Sequence, residues 1–239
     1  MININTSKRT SKVEIMDDFE LQGDDLERTL RDLDNINKWL GGNRITLKGI
    51  KKLLKNHPEN VPVHIVDVGC GNGAILREIA EWGRNKSFPL KLTGIDANKH
   101  AVSIAERLSE YYPEITFNAL NIFDSDFRNK KFDIVLCTLT LHHFKDEEIE
   151  EIMTHFYRQA RIGVVINDLH RSSHAYVLFK AFCKVFIRNK IAKEDGLTSI
   201  LRGFKRRDIK RFASQIPSQS QEIKWKWAYR YLWVIEKTN

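Results

Sequence analysis

The chain has 239 residues, of which 42% are hydrophobic, and its formal net charge is +8. This apolar fraction supports a packed core and excludes an intrinsically disordered chain, and the length fits one α/β domain with modest additions. The three cysteines stand singly, without a CxxC pair, so neither a disulfide framework nor a metal site is expected.

The amino-terminal part of the chain is predicted to be helical after a polar start. The first dozen residues are polar and are expected to be mobile. Leucine and isoleucine at helical spacing predict a helix over 24–40, ended by two glycines, and a second short helix over 45–54. We expect these helices to form a cap within residues 1–60, in front of a main domain at 61–239.

No segment has the character of a membrane anchor or a secretory signal. The amino terminus lacks an apolar h-region. The most apolar stretch, 175–187, contains Lys180 and Lys184 and is shorter than a membrane span. A cytoplasmic protein without an integral membrane segment is therefore expected, with peripheral membrane contact left open.

From residue 64 onward, short β-branched runs alternate with helical patterns. This alternation is typical of a parallel sheet that is covered on both faces. Two further runs near the carboxyl terminus are too close together for a crossover helix, so they predict an antiparallel hairpin. The fold expected is a Rossmann-like α/β sheet of seven strands. The predicted strands are 64–68, 90–95, 115–120, 132–137, 162–166, 223–227 and 230–236, and the predicted helices between them are 74–82, 99–112 and 147–157.

A glycine-rich loop follows the first predicted strand, in the sequence Val66-Asp-Val-Gly-Cys-Gly-Asn-Gly73. Glycines permit a tight turn there and let the backbone approach a ligand closely. Asp96 ends the second strand, near the spacing at which an acid accepts ribose hydroxyls. The loop reads GxGxG, with Asp67 two residues ahead of it, and therefore departs from the GxGxxG fingerprint of dinucleotide enzymes.

With this loop and Asp96, the chain resembles the class I S-adenosylmethionine-dependent methyltransferases, whose first motif has the form D-x-G-x-G-x-G. The resemblance extends from about 63 to 166, and the carboxyl-terminal hairpin fits the family's reversed last strand. It implies S-adenosylmethionine as the cofactor and S-adenosylhomocysteine as its product.

The resemblance also implies a set of cofactor contacts. Asp67 would hold the ammonium group, and Asp96 would accept the ribose diol. An acid is frequent in the family where Asn121 stands here, so Asn121 is a departure from the pattern. Arg44 in the cap could meet the cofactor carboxylate, or it could be an ordinary solvated arginine. The other implied contacts are Gly69, Cys70 and Gly71 along the methionine, Cys137 and Thr138 near it, and Ala97, Asn121 and Ile122 around the adenine.

Histidines follow the fourth and fifth strands, where a general base for the methyl acceptor would lie. His142 and His143 come after the fourth strand, and His170 comes four residues after the predicted end of the fifth. His170 is the favoured candidate for the base, and Asp168 is close enough in sequence to orient it. The alternative for all three histidines is a structural, hydrogen-bonded role.

A helical insertion is predicted at about 168–203, after the fifth strand. Its first part is apolar on more than one side, with Phe179, Phe182 and Phe186, which is more than a surface helix needs. The insertion resembles that of the ubiquinone and menaquinone methyltransferases. This likeness implies a lid over a small aromatic or lipophilic hydroxylated acceptor that is methylated at oxygen.

Two other functions remain open at this stage. The basic run 202–211 would suit an RNA methyltransferase, although a solvated helix face is the favoured interpretation of the run. The fourth strand is followed by neither an Asn-Pro-Pro-Tyr-like motif nor a Pro-Cys nucleophile, which base-modifying enzymes would carry. A non-catalytic cofactor-binding module is the third hypothesis. No oligomeric state is predicted.

Overall fold

The computed structural model describes residues 4–218 and 220–237. Within these residues one sheet has the strand order β3-β2-β1-β4-β5-β7-β6. Strands β1 to β5 are parallel, and β7 runs antiparallel to β5 and β6. The strands are β1 (Val63–Val68), β2 (Leu90–Asp96), β3 (Ile115–Ala119), β4 (Phe132–Thr138), β5 (Ala160–Leu169), β6 (Gln221–Lys226) and β7 (Arg230–Glu236).

Helices cover both faces of the sheet, as the predicted Rossmann-like fold requires, and the prediction is confirmed. In β1, Val66 and Val68 pack into one core with α6 and α9, whereas Val63 and Ile65 pack into the other with α2 and α3. The helices are α1 (Gly23–Trp39), α2 (Gly42–Leu53), α3 (Ala74–Asn85), α4 (Lys99–Leu108), α5 (Ser125–Arg128), α6 (Asp146–Gln159), α7 (Ser173–Phe186), α8 (Lys190–Arg202) and α9 (Arg206–Ala213).

Several element boundaries differ from the predictions by a few residues, and two of the differences have a clear physical reason. Helix α3 continues past residue 82, where its predicted range ends, and includes Gly83. A Cβ at Gly83 would lie 2.6 Å from Leu90 Cδ1, so this glycine allows close helix packing. Strand β5 continues to Leu169 rather than Ile166, because its antiparallel pairing with β7 extends to the end of the strand. Pairing of this kind cannot be seen in a local sequence window.

The amino-terminal segment is held against the domain, contrary to the expectation of mobility. Arg9 Nε donates to the carbonyl of Arg202 at 2.7 Å, and its Nη2 donates to the carbonyls of His142 and Phe144 at 2.7 and 2.8 Å. Its Nη1 pairs with Asp146 at 2.7 Å. One arginine therefore fastens the segment to two loops. Residues 1–3 lie outside the described residues.

Helices α7 and α8 form the insertion after β5 and meet the amino-terminal helix α1. Asn189 at the start of α8 donates a hydrogen bond to Thr29 of α1 at 3.1 Å. The division into a cap at 1–60 and a main domain at 61–239 with a lid stays a prediction. None of the helices described is both long and apolar enough to cross a membrane.

Gly163 of β5 is tightly packed against its neighbours, and this packing leads to a stability prediction. A Cβ there would meet the carbonyl oxygen of Ile235 and lie 2.8 Å from Leu53 Cδ2 of α2. Gly163→Ala should therefore cost about 1–3 kcal/mol of unfolding free energy, measured by urea denaturation. Arg161→Ala, an exposed change in the same strand, is the control and should stay within about 0.5 kcal/mol. Equal stability of the two variants would contradict this packing.

Candidate active site

A cavity of about 1550 Å³ opens at the carboxyl ends of the parallel strands. This is where ligands of open α/β sheets bind, beside the point at which the strand order reverses. Its lining includes the glycine loop after β1, the end of β2, the turn after β4, and residues of α1, α7 and α8. Pockets for one small ligand measure about 300–1,000 Å³, so this cavity has room for two.

The glycine loop adopts backbone conformations that other residues avoid. Gly69, Gly71 and Gly73 have φ values of 71°, 52° and 74°. A Cβ at Gly69 would also collide with the side chain of Thr140. The loop can therefore turn tightly and place its peptide groups along the cavity wall.

Asp96 at the end of β2 fastens this loop in addition to lining the cavity. Its Oδ2 accepts a hydrogen bond from the Gly71 N–H at 2.9 Å, and its Oδ1 accepts one from the Asn98 N–H at 3.0 Å. Burial raises the pKa of Asp96, against the effect of these two hydrogen bonds. Sequence reasoning gave Asp96 a ligand contact and missed its role in holding the loop.

Asp67 is a buried carboxyl group with an unused oxygen. It is 1% exposed and lines the cavity, and its Oδ1 has no hydrogen-bond partner among the described residues. Burial and the neighbouring charge of Asp96 raise its pKa well above the usual range. An unsatisfied buried carboxyl group costs free energy, and a cationic donor from a ligand would remove that cost. The site thus fits a ligand with an ammonium group.

The structure brings together most residues expected around the cofactor and separates two of them from the cavity. Cys137 is buried behind the cavity wall, where burial raises the pKa of its thiol. Arg44 lies on the exposed side of α2 and does not line the cavity, so the geometry does not support the expected carboxylate contact. Gly69, Cys70, Gly71, Ala97, Asn121, Ile122 and Thr138 all line it.

His142 and Asp168 form a buried pair beneath the cavity. His142 Nδ1 lies 2.7 Å from Asp168 Oδ1, and its backbone N–H donates to Asp168 Oδ2 at 3.2 Å. Burial would raise the pKa of Asp168, but the charge and hydrogen bond of His142 outweigh burial and lower it. Asp168, expected beside His170, thus holds His142 instead.

His143 is the more accessible of the two adjacent histidines. Its Nδ1 lies 2.5 Å from Asp17 Oδ1, and its side chain is 26% exposed. Burial would raise the pKa of Asp17, but hydrogen bonds from His143 and Arg202 lower it. With Nδ1 engaged by a carboxylate, His143 has its Nε2 free for a ligand.

Glu14 completes this cluster and was missed by sequence reasoning. Its Oε2 accepts a hydrogen bond from the Ser199 hydroxyl at 2.6 Å, and its Oε1 lies 3.8 Å from His142 Nε2. Nothing in the local sequence identifies Glu14, because its partners are more than a hundred residues away.

Glu14, His142 and His143 offer metal-ligand atoms within 4.8 Å of one another. The Arg202 guanidinium, however, lies 3.5 Å from Glu14 Oε1. This positive charge disfavours a cation at the same place.

His170 lies apart from the other histidines. It follows β5 directly and is not part of the cavity lining. Its Nδ1 accepts a hydrogen bond from Trp225 Nε1 at 3.3 Å, and its ring stacks on Tyr229 at a centroid distance of 6.0 Å. Burial and the charge of Lys205 lower its pKa. His170 therefore packs the hairpin, and the geometry does not support its expected role as the base.

Comparison with known proteins points to one family. A family model described as "Methyltransferase domain" matches residues 65–163, from β1 into β5. Ubiquinone biosynthesis O-methyltransferase of Rickettsia bellii is 29% identical over 142 residues, which cover 57% of this chain and 55% of the relative. Ajmaline N-methyltransferase of Rauvolfia serpentina is 26% identical over 120 residues, or 48% and 39% of the two chains. The chain thus spans about half the length of these relatives, or less.

Solved structures share the fold over most of the chain. A plantazolicin methyltransferase in complex with SAH superposes with a TM-score of 0.66 at 15% identity, covering 90% of this chain and 92% of the other. Magnesium protoporphyrin IX methyltransferase of Synechocystis PCC 6803 with bound SAM gives a TM-score of 0.61 at 15% identity, covering 96% and 100%. At such identities the likeness establishes the fold.

The charge state of Glu14 generates a prediction on pH dependence. Burial raises the pKa of Glu14 to about 7, from an ordinary value of 4.5. Its contribution to stability is therefore present below about pH 4.5 and is lost as the pH rises through 7. In Glu14→Gln, which is neutral at every pH, the Tm relative to wild type should rise between pH 5 and 8.

Calorimetry across this pH range tests the shift at Glu14. Glu59→Gln, at an exposed position, is the matched control and should follow the wild type at every pH. A Glu14→Gln difference that stays constant or falls with pH would show that Glu14 is ionised as readily in the folded protein as in the unfolded chain.

Proposed function

The chain belongs to the class I S-adenosylmethionine-dependent methyltransferases, and from this premise we propose that it methylates a hydroxyl oxygen of a small aromatic or lipophilic acceptor. The observation that carries the proposal is the single cavity, which joins the glycine loop and Asp96 on one side to His143 and the aromatic residues of α7 on the other. The acceptor is expected to react in the cytoplasm.

The residues around the glycine loop suit the cofactor in charge and shape. The unsatisfied carboxyl group of Asp67 would take the ammonium group, and Asp96 would take the ribose hydroxyls while it keeps the loop in place. Ala97, Asn121 and Ile122 would surround the adenine. When bound, the cofactor supplies an electrophilic methyl group on a sulfonium.

His143 is the best candidate for the general base. Its Nε2 would accept the acceptor's hydroxyl proton as the oxygen–carbon bond forms and the sulfur–carbon bond breaks. Asp17 on Nδ1 would hold the ring and stabilise the imidazolium. His142 is less suited because its Nε2 is buried, and it supports His143 from a ring-centroid distance of 4.3 Å.

Aromatic side chains contribute to the cavity wall. Phe179 and Phe182 of α7 line the cavity together with Trp227 and Tyr229 of the hairpin turn. Burying an aromatic ring among such side chains is favourable, with pair geometry adding to the hydrophobic gain. This composition supports an aromatic or lipophilic acceptor, as the name of the ubiquinone relative suggests.

The basic run 202–211 offers weaker support for an RNA substrate. Arg202 bonds Asp17 and the carbonyl of His142, and Arg211 pairs with Asp146. Arg207 Nη2 donates to the carbonyl of Ser7 at 2.8 Å. Because these charges already hold the amino-terminal segment and neighbouring loops, the small-molecule acceptor remains the proposal.

Cofactor binding is tested by calorimetry with S-adenosylhomocysteine. Wild type should bind it and give no comparable response to NAD. Asp96→Ala should weaken binding by about tenfold or more, because hydrogen bonds to a charged group contribute roughly 1.5–3 kcal/mol. Asp126→Ala, an exposed acid on α5, is the control. Unchanged affinity in a folded Asp96→Ala would refute the ribose assignment.

The base assignment is tested by turnover on a panel of catechols, quinols and alkylphenols, followed by mass spectrometry. His143→Ala should lower kcat by roughly 10²-fold while leaving the affinity for S-adenosylhomocysteine unchanged. His170→Ala should keep its activity, since His170 lies outside the cavity. Loss of activity in His170→Ala together with full activity in His143→Ala would identify His170 as the base. Full activity in both variants would mean that positioning alone drives the transfer.

A further inference from the structure

Arg230, the first residue of β7, is a buried cation that lines the cavity. It is 2% exposed and lines the cavity, yet its Nε and Nη1 have no hydrogen-bond partner among the described residues. Burial lowers its pKa to about 10, so it remains protonated near neutral pH. The charge of Asp168 acts in the opposite direction and raises the pKa of Arg230. The Asp168 carboxylate, however, is already hydrogen-bonded to His142 and to the backbone N–H of Leu169.

A buried guanidinium without partners destabilises the folded protein unless a ligand supplies hydrogen-bond acceptors. A guanidinium presents five N–H donors in a planar fork, and a buried charge without partners destabilises the folded state. Native proteins rarely leave buried donors unpaired, and the exceptions call for an explanation. A planar oxyanion in the cavity would give the guanidinium a charged, hydrogen-bonded partner, and a carboxylate matches its planar fork with two parallel hydrogen bonds.

Arg230 lies against Gly42, the first residue of α2. A Cβ at Gly42 would lie 2.8 Å from Arg230 Cζ and would collide with Asn37 Oδ1, so the glycine leaves room for both groups. Asn37 is oriented by a chain of amides, since its Nδ2 donates to Asn43, which donates to Glu78 at 2.6 Å. The Oδ1 of Asn37 then lacks a partner. The Arg230 donors and the Asn37 acceptor thus both lie near Gly42 without hydrogen-bond partners among the described residues.

The position of Arg230 assigns it to the acceptor side. β7 is separated from β1, which carries the glycine loop, by β4 and β5. Three strand spacings of about 4.8 Å lie between them. Asp67 on β1 has its own unused oxygen for the cofactor's amino-acid group. Arg230 instead follows Trp227 and Tyr229, which belong to the aromatic wall.

We propose that Arg230 binds the carboxylate of the methyl acceptor, and that the acceptor is an aromatic hydroxy acid. The acid group would lie on the Arg230 guanidinium, the ring among the aromatic side chains, and a hydroxyl within reach of the cofactor's methyl group. This inference rests on the proposed methyl transfer and narrows its substrate class. The oxyanion stays unreacted, so Arg230 is a specificity-determining residue.

The inference is tested by calorimetry on the full chain saturated with S-adenosylhomocysteine. The probes are 4-hydroxybenzoate, 3,4-dihydroxybenzoate and 4-hydroxycinnamate, each beside its neutral carboxamide. Wild type should bind at least one acid about tenfold more tightly than its amide. Arg230→Met should abolish this preference, whereas Arg44→Met, which removes an exposed arginine outside the cavity, should keep it.

Two readouts separate this inference from the proposed function. Failure of wild type to bind S-adenosylhomocysteine would count against methyl transfer, whereas equal binding of acids and amides to the saturated protein would overturn the Arg230 assignment alone. That comparison needs no variant. If Arg230→Met loses tenfold in affinity for S-adenosylhomocysteine but not for methylthioadenosine, which lacks the amino acid, Arg230 holds the cofactor's carboxylate and the acceptor assignment is wrong. The Tm of Arg230→Met should be no lower than that of wild type, because a buried unpaired charge is removed.

Discussion

The burial of Asp168 at the end of β5 is the constraint around which the site is organised. A carboxylate that is 1% exposed must be satisfied by donors, and the turn Leu141–His143 supplies them through the N–H and imidazole of His142. The turn is thereby fixed to the fifth strand, and His143 is directed to the cavity. Arg9 and Arg202 both donate to the carbonyl of His142, which anchors the amino-terminal segment on the same turn.

The fold could be predicted because its signals are local. Period-two and period-3.6 patterns identify each strand and helix from its own residues, and the glycine loop identifies the first β-α turn. The errors depend on tertiary contacts, which a local pattern does not show. The extension of β5 to Leu169 depends on β7, some sixty residues later, and the continuation of α3 through Gly83 depends on its close packing against Leu90 at the start of β2.

The residues of the site likewise fall into those that the local sequence identifies and those that it does not. Asp67 and Asp96 belong to a motif with fixed spacing and were identified from the sequence. Glu14, which approaches His142, could not be, because its segment has no helical or strand pattern and was expected to be mobile. His170 and His143 both follow strand ends, and sequence reasoning favoured His170 as the base. The difference between them is tertiary: the His143 ring lines the cavity, whereas the His170 ring packs on Tyr229.

The charges on the cavity wall suit the proposed reaction. Carboxyl groups lie at the β1 and β2 end, where a cationic cofactor would bind, and the unpaired Arg230 lies at the β7 end, where an anionic acceptor would bind. When His143 takes the acceptor's proton as the methyl group is transferred, the positive charge of the sulfonium passes to the imidazolium. Asp17 beside His143 favours this movement of charge, because opposite charges attract more strongly at low dielectric. Arg230 would therefore hold the acid group of the acceptor away from the methyl group and leave its hydroxyl to react near His143.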